Sequence, residues 1–206
     1  DLVPVAKLRE AYPNVNISLH QGAPAQVAQM VMDEVAEIGI ATESLSEYPE
    51  LVTLPCYEWE HMLVIPKSHP LAGKVRITLE DLAAEPIITY HPSFTGRTRI
   101  DKAFAAKGLT PRIALEAIDS DVIKTYVETG MGVGIVAGLA YDTDRDRNLR
   151  VIPVGHLFGN NVTHLGVKQG AYLRSFVYTF IELFSPTLTK KIVEQAMNNE
   201  SESYEI

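Results

Sequence analysis

The sequence predicts an α/β fold built from two Rossmann-like lobes with a hinge and an interlobe cleft, and three observations carry that prediction. Helix-period and strand-period apolar patterns alternate along nearly the whole chain. A chain of 206 residues that is 46% hydrophobic can bury a substantial core, and its length allows two small lobes. The last strand pattern and the two helices after it find no partner among the middle elements, so the chain is expected to return to its first lobe.

Leu2, Val5, Leu8 and Tyr12 recur at helical spacing until Pro13 ends the run, predicting a helix over residues 2 to 11. Val15, Ile17 and Leu19 alternate with polar Asn14, Asn16 and Ser18, the pattern of a half-buried strand, closed by Gln21 and Gly22. Pro24 suits a first helical position, Val27, Met30 and Val31 form an apolar stripe, and Glu37 to Ala41 returns as a short buried strand. This first stretch therefore predicts a β-α-β unit. After Pro49, residues 51 to 55 and 61 to 65 read as two strands, and Thr78 opens a short capped helix that leads to a strand over 86 to 90. A helix at about 96 to 107, a strand at 112 to 118, a helix at 120 to 129 and a strand at 133 to 137 follow, an alternation that implies parallel pairing. The chain closes with a strand at 163 to 167 and helices at about 171 to 184 and 188 to 197. The resulting expectation is one lobe from residues 1 to 57 plus 160 to 206 and another from 58 to 159. Two crossovers between lobes suit hinge motion around a cleft. Met197 to Ile206 is acidic and serine-rich with little apolar surface, and is expected to form a tail.

A net charge of -8 argues against phosphate-backbone binding by this chain, because that binding needs a basic face. Cys56 is the single cysteine and can form no internal disulfide. No apolar run approaches the roughly 18 residues of a membrane span, and no secretory signal precedes the first helix, so a cytoplasmic location is expected. The six histidines show no metal-ligand spacing, and no cofactor motif is present. The glycines of Gly130-Met131-Gly132-Val133-Gly134 follow a helix and precede a strand, the reverse of a dinucleotide loop, and are better explained as a helix C-cap and a close approach of backbones. No cluster of acid, base and nucleophile is readable, so an enzyme is not expected.

Several segments resemble the effector domains of LysR-type transcriptional regulators, in the branch that includes CysB and Cbl. They are His20-Gln21-Gly22, Ile40-Ala41-Thr42-Glu43, Leu54-Pro55-Cys56-Tyr57 with Trp59, His69-Pro70-Leu71, Ile88-Thr89-Tyr90 and Phe94-Thr95-Gly96-Arg97. Asp119 to Val127 and Gly130 to Gly134 continue the likeness, which spans about residues 1 to 198. The resemblance implies a periplasmic-binding-protein-like fold and a small anionic effector bound in the cleft: sulfate, O-acetylserine, N-acetylserine, thiosulfate or adenosine phosphosulfate. It also implies regulation of sulfur assimilation and cysteine biosynthesis. A winged helix-turn-helix DNA-binding domain is expected upstream of this chain, which opens on Asp1, and DNA is then contacted there and not here. Assembly as a homodimer or homotetramer is implied too. Val5 and Leu8, with Phe104 and Ala105, are either contributors to that interface or internal core.

Ligands in two-lobe proteins sit where loops at the carboxyl ends of strands converge, which directs attention to Thr42 and Thr95. Read from the residues, Thr42 ends a strand and Thr95 caps a helix; by the resemblance both contact the anion. The amides of Gly96 and Arg97 would add donors at a helix N-terminus. Trp59 either edges the cleft or is a packed hinge aromatic, and Gln21 either faces the cleft or caps a turn. Arg97 pairs with a ligand or with Asp101 at i,i+4 spacing. Asp119 or Ser120 caps the next helix, with Asp121 at its positive end, and the amides there also have a route to the ligand. Lys124 on that helix reads as a solvated side chain. Two functions from other classes stand beside the regulator: a freestanding solute-binding protein of a sulfate or organosulfur transporter, and a lobe-cleft enzyme of the porphobilinogen deaminase type that would need a cofactor-bearing cysteine.

Overall fold

The computed structural model describes residues 3–42, 45–94 and 96–202. They form a mixed α/β fold that divides into two compact units, Asp1–Tyr57 with Val162–Ile206, and Glu58–Asn161.

In the first unit, helix α1 (Val3–Ala11) packs on α7 (Ser175–Phe184), burying Leu8 and setting Tyr12 edge-on to Phe176. Helix α2 (Pro24–Met32) takes Pro24 at its start, where a missing amide costs nothing, and buries Ala28 and Val31 against Leu45 and Leu51. Strand β1 (Gly39–Ala41) pairs antiparallel with β7 (Asn160–Lys168), Ala41 opposite His164, and β7 lies beside β2 (Leu51–Pro66). Val52, Leu54, Leu165 and Val167 alternate inward from these strands and meet Val177 and Ile181 of α7 and Val193 of α8 (Lys190–Glu202). This is the period-2 and period-3.6 matching that makes one apolar layer of a sheet and two helices.

In the second unit the sheet runs from β2 to β5 (Val133–Ala137), β3 (Pro86–Tyr90) and β4 (Arg112–Ala117), with β6 (Leu149–Pro153) also on β2. One face packs Leu63, Ile65, Ile87 and Ile135 against Leu79 and Leu82 of α3 (Leu79–Ala83), Ile100 and Phe104 of α4 (Arg97–Ala106) and Phe158 of α6 (Gly155–Phe158). The other packs Val64, Ile88 and Tyr90 against Ile123 and Val127 of α5 (Ser120–Glu128). Apolar runs without alternation, such as Val133 to Ala137, follow from burial on both faces. Thr78 and Asp81 close a reciprocal capping box on α3. Gly130 has φ +78 just past α5, and a side chain at Gly132 would meet the Pro86 carbonyl at 2.4 Å, so these glycines serve a helix end and a close backbone approach.

Several expectations are corrected. Residues 14 to 19 alternate like a strand yet belong to no ladder: a strand needs a paired edge, and Leu19 is 68% exposed. The expected β-α-β opening is therefore α-β. Residues 51 to 55 and 61 to 65 are one strand of 16 residues, because both halves find partners and Tyr57 to Glu60 continue the extended backbone between them. Pairing is parallel for β3 with β4 and β5, whereas β2 with β5, β2 with β6 and β1 with β7 are antiparallel. Strand β6 and helix α6 lie in a stretch where turn residues mask the apolar pattern. Helix α8 takes in Met197 to Glu202 of the expected tail, carried by Val193 in the core with Ala196 and Met197 against it, and residues 203 to 206 of that expectation lie outside the described residues. Leu8 and Phe104 are internal core, at 4% and 0% exposure, while Val5 is half-buried and Ala105 exposed.

Candidate ligand-binding site

Thr42 follows β1 in the first unit. The β1–β7 register places it opposite Thr163, and the two hydroxyl oxygens are 3.4 Å apart. Thr163 is 4% exposed, and its side chain also hydrogen-bonds the Tyr57 phenol, whose ring leans on Phe184 at 5.7 Å. Burial pushes the Tyr57 phenol up from its ordinary value, so it stays protonated at neutral pH. Thr163 and Tyr57 were not singled out by the sequence; finding them requires knowing that β1 pairs with β7. Gln21, in the same unit, is exposed on the stretch between α1 and α2 that has no regular structure.

Thr95 lies outside the described residues. Its neighbour Gly96 is the N-cap of α4 with φ +69, a left-handed conformation that glycine adopts without strain. A Cβ there would sit 2.8 Å from Asn161 Oδ1 and 2.8 Å from His61 Cε1, so the backbone approaches these two buried side chains closely. Trp59, on β2 and 6% exposed, stands edge-on to His61 at 4.9 Å, and Phe158 covers another side of the imidazole at 5.5 Å. Trp59, His61, Asn161 and Gly96 thus form one contiguous cluster in the second unit. Asn161 Oδ1 is buried with no hydrogen-bond partner among the described residues. Asn161 carries no motif, and its place shows only in three dimensions.

The Arg97 amide, expected to be free for an anion, donates to the Phe94 carbonyl at 3.2 Å in a tight turn. Its guanidinium is buried and donates to Asp101 at 2.8 Å, Glu116 at 2.9 Å and the Tyr90 carbonyl at 2.7 Å. Those three acceptors tie α4 to β3 and β4 and take up the charge beside the helix end.

At α5, Asp119 is the cap: its carboxylate accepts from the Asp121 amide at 2.6 Å. The Tyr90 phenol accepts from the Ala137 amide at 2.9 Å and shares a hydrogen bond with Ser120 Oγ, 2.6 Å away. Lys124, expected to be solvated, is 5% exposed and donates to Asp146 and to the Ala140 carbonyl, with exposed Asp121 3.0 Å away. Surface hollows along α1 and beside Tyr172, Tyr178 and Lys190 contain none of these residues. Among the described residues, no helix is long and apolar enough to cross a membrane.

With this geometry in hand, comparison with known proteins is specific. The family model described as the LysR substrate binding domain matches residues 4–188. The HTH-type transcriptional regulator CysB of Burkholderia cenocepacia is 56% identical over 98% of this chain and 64% of its own length. The regulator SsuR of the same organism is 48% identical over 90% of this chain and 60% of its own. Among solved structures, the cofactor-binding domain of the Cbl transcriptional regulator superposes with a TM-score of 0.87 at 42% identity, covering 94% of this chain and 85% of that one. The chain thus spans less than two thirds of the length of these two regulators.

Proposed function

The chain belongs to the LysR substrate binding domain family, and from that premise we propose that it is the effector-sensing domain of a transcriptional regulator of sulfur assimilation and cysteine biosynthesis. The observation that carries this reading is 56% identity to a CysB regulator over 98% of the chain. Its ligand in this reading is a small anionic metabolite: sulfate, O-acetylserine, N-acetylserine or a related species. Thr42 and Thr95 supply hydroxyls, Gly96 an amide, and Trp59 and Gln21 flank the ligand. Ser120 and Asp121 stand at the second helix end as outer contacts. Neutral donors suit an anion here, because the two buried cations Arg97 and Lys124 are already committed to carboxylates. The full-length protein contacts DNA through a separate N-terminal domain, acts in the cytoplasm and performs no catalysis. The effector's leverage on DNA binding equals its differential affinity for the protein's conformations, about 1–3 kcal/mol in typical cases.

Assembly as a homodimer or homotetramer is part of this reading. Val122 and Tyr126, one turn apart on α5, and Ile118 just before it are exposed apolar side chains in line. The solute-binding-protein alternative has no counterpart in the CysB, SsuR and Cbl relatives, all transcriptional regulators. Gel-shift titration of the full-length regulator on promoter DNA tests the proposal. An effector from this group should change affinity or footprint several-fold, and no response to any of them would contradict it.

A further inference from the structure

Buried polar atoms without a hydrogen bond are rare, because folding then never recovers their lost hydration. Asn161 Oδ1 is such an atom: the side chain is 1% exposed, and this oxygen accepts no hydrogen bond among the described residues. The other end of the carboxamide is engaged, with Nδ2 3.5 Å from His61 Nδ1. Oδ1 faces the start of the ten-residue helix α4, 2.8 Å from where a Cβ on Gly96 would stand. Two features favour oxygen over the amide nitrogen at that point. The Cα hydrogens of Gly96 would oppose N–H hydrogens, and the helix N-terminus carries positive charge. A carbon-bound hydrogen is a weak partner, so the acceptor stays largely unsatisfied. Arg97, next along the chain, commits its guanidinium to Asp101, Glu116 and the Tyr90 carbonyl. An anion is favoured at the helix end, whereas the oxygen beside it calls for a donor.

We propose that Asn161 is a specificity-determining residue of the effector site, whose carboxamide oxygen takes a hydrogen bond from the ligand, so that the second unit selects oxyanions carrying an N–H or O–H donor beside the charged group. This rests on the reading that an anion binds at Thr95 and Gly96. It extends that reading from where the charge sits to what the rest of the ligand must offer. Reaching the oxygen takes a small shift of the turn at Gly96, where no side chain stands in the way. A donor that meets Asn161 is shielded from water and removes the desolvation penalty of the ligand-free state, while a donor-free anion leaves that penalty in place.

The test is NMR titration of this chain with two anions of equal charge and nearly equal size: sulfamate, an amino group on a sulfonate, and methanesulfonate, a methyl group in the same place. Sulfate is titrated alongside. The variants are Asn161→Leu, Asn161→Asp and Thr95→Ala, each checked for melting temperature and circular dichroism. Wild type should bind sulfamate about 3- to 10-fold more tightly than methanesulfonate, the scale of one hydrogen bond. Asn161→Leu, similar in size with no acceptor, should bring that ratio to about one and leave methanesulfonate binding little changed. Asn161→Asp keeps the acceptor and adds a charge, so it should weaken both anions yet hold the preference, which decides the matter even if the leucine variant does not fold. A wild type without preference, or equal weakening of both anions in Asn161→Leu as a structural role would give, overturns the inference; sulfate binding that is then still lost in Thr95→Ala leaves the ligand site standing. Binding that survives Thr95→Ala, or no binding of any of these anions by wild type, overturns both.

Discussion

Lys124 Nζ lies 2.9 Å from the Asp146 carboxylate, with both side chains less than a tenth exposed. The same ammonium donates to the Ala140 carbonyl, and Asp146 also accepts from the Asp142 amide, so one ion pair ties α5 to the segment between β5 and β6. Removing the cation strands a buried carboxylate. Lys124→Met should cost about 3–5 kcal/mol of stability in urea unfolding, and Lys124→Met with Asp146→Leu should recover much of it. Equal losses in the single and double variants would show that the pair is not the tie.

Gly96 makes a separate demand. Alanine there places a Cβ 2.8 Å from two buried side chains at φ +69. The conformation alone costs about 1–2 kcal/mol, and the contact adds to it. Gly96→Ala should lower the melting temperature and weaken effector binding together, whereas Gly108→Ala, at a similar φ of +65 with open space around it, should cost only the conformational part and leave binding intact. Equal effects at both positions would contradict the packing account of Gly96.

Cys56 is half-buried on β2, and loss of solvation raises its thiol pKa to about 11. At pH 8 only about one molecule in a thousand carries the reactive thiolate. Alkylation by iodoacetamide should be slow at pH 8, accelerate toward pH 11, and become rapid in urea. Fast labelling of the folded chain at pH 8 would contradict this burial.

The exposed line of Ile118, Val122 and Tyr126 predicts self-association. Val122→Glu and Tyr126→Glu should shift the full-length protein toward smaller species in sedimentation velocity without changing its circular dichroism. An unaltered distribution would place the interface elsewhere.

What was legible in the sequence follows from local physics. Helices α2, α4, α5 and α7 and strands β3 and β5 announce themselves by periodicity and caps, since each is decided by residues a few positions apart. The strand pattern at Val15, Ile17 and Leu19 misled because a ladder is a property of two segments, and one segment cannot reveal whether its partner is in place. Phe104 could be core or interface until α4 was seen to face Phe158. Lys124 looked solvated because Asp146, 22 residues away, is invisible to helix spacing. Among the site residues, Thr42 and Gly96 stand at strand and helix ends where motifs gather. Thr163 and Asn161 become visible only through long-range pairing.

The central claim is that this chain binds a small sulfur-pathway anion through Thr42 and Thr95. The most direct test is calorimetric titration with sulfate, O-acetylserine, N-acetylserine and adenosine phosphosulfate, repeated for Thr42→Ala and Thr95→Ala. The account predicts saturable binding of at least one of these, lost or weakened at least about tenfold in each variant, the scale of a hydrogen bond to a charged group. Full-strength binding in both variants, or none in the wild type, would contradict it.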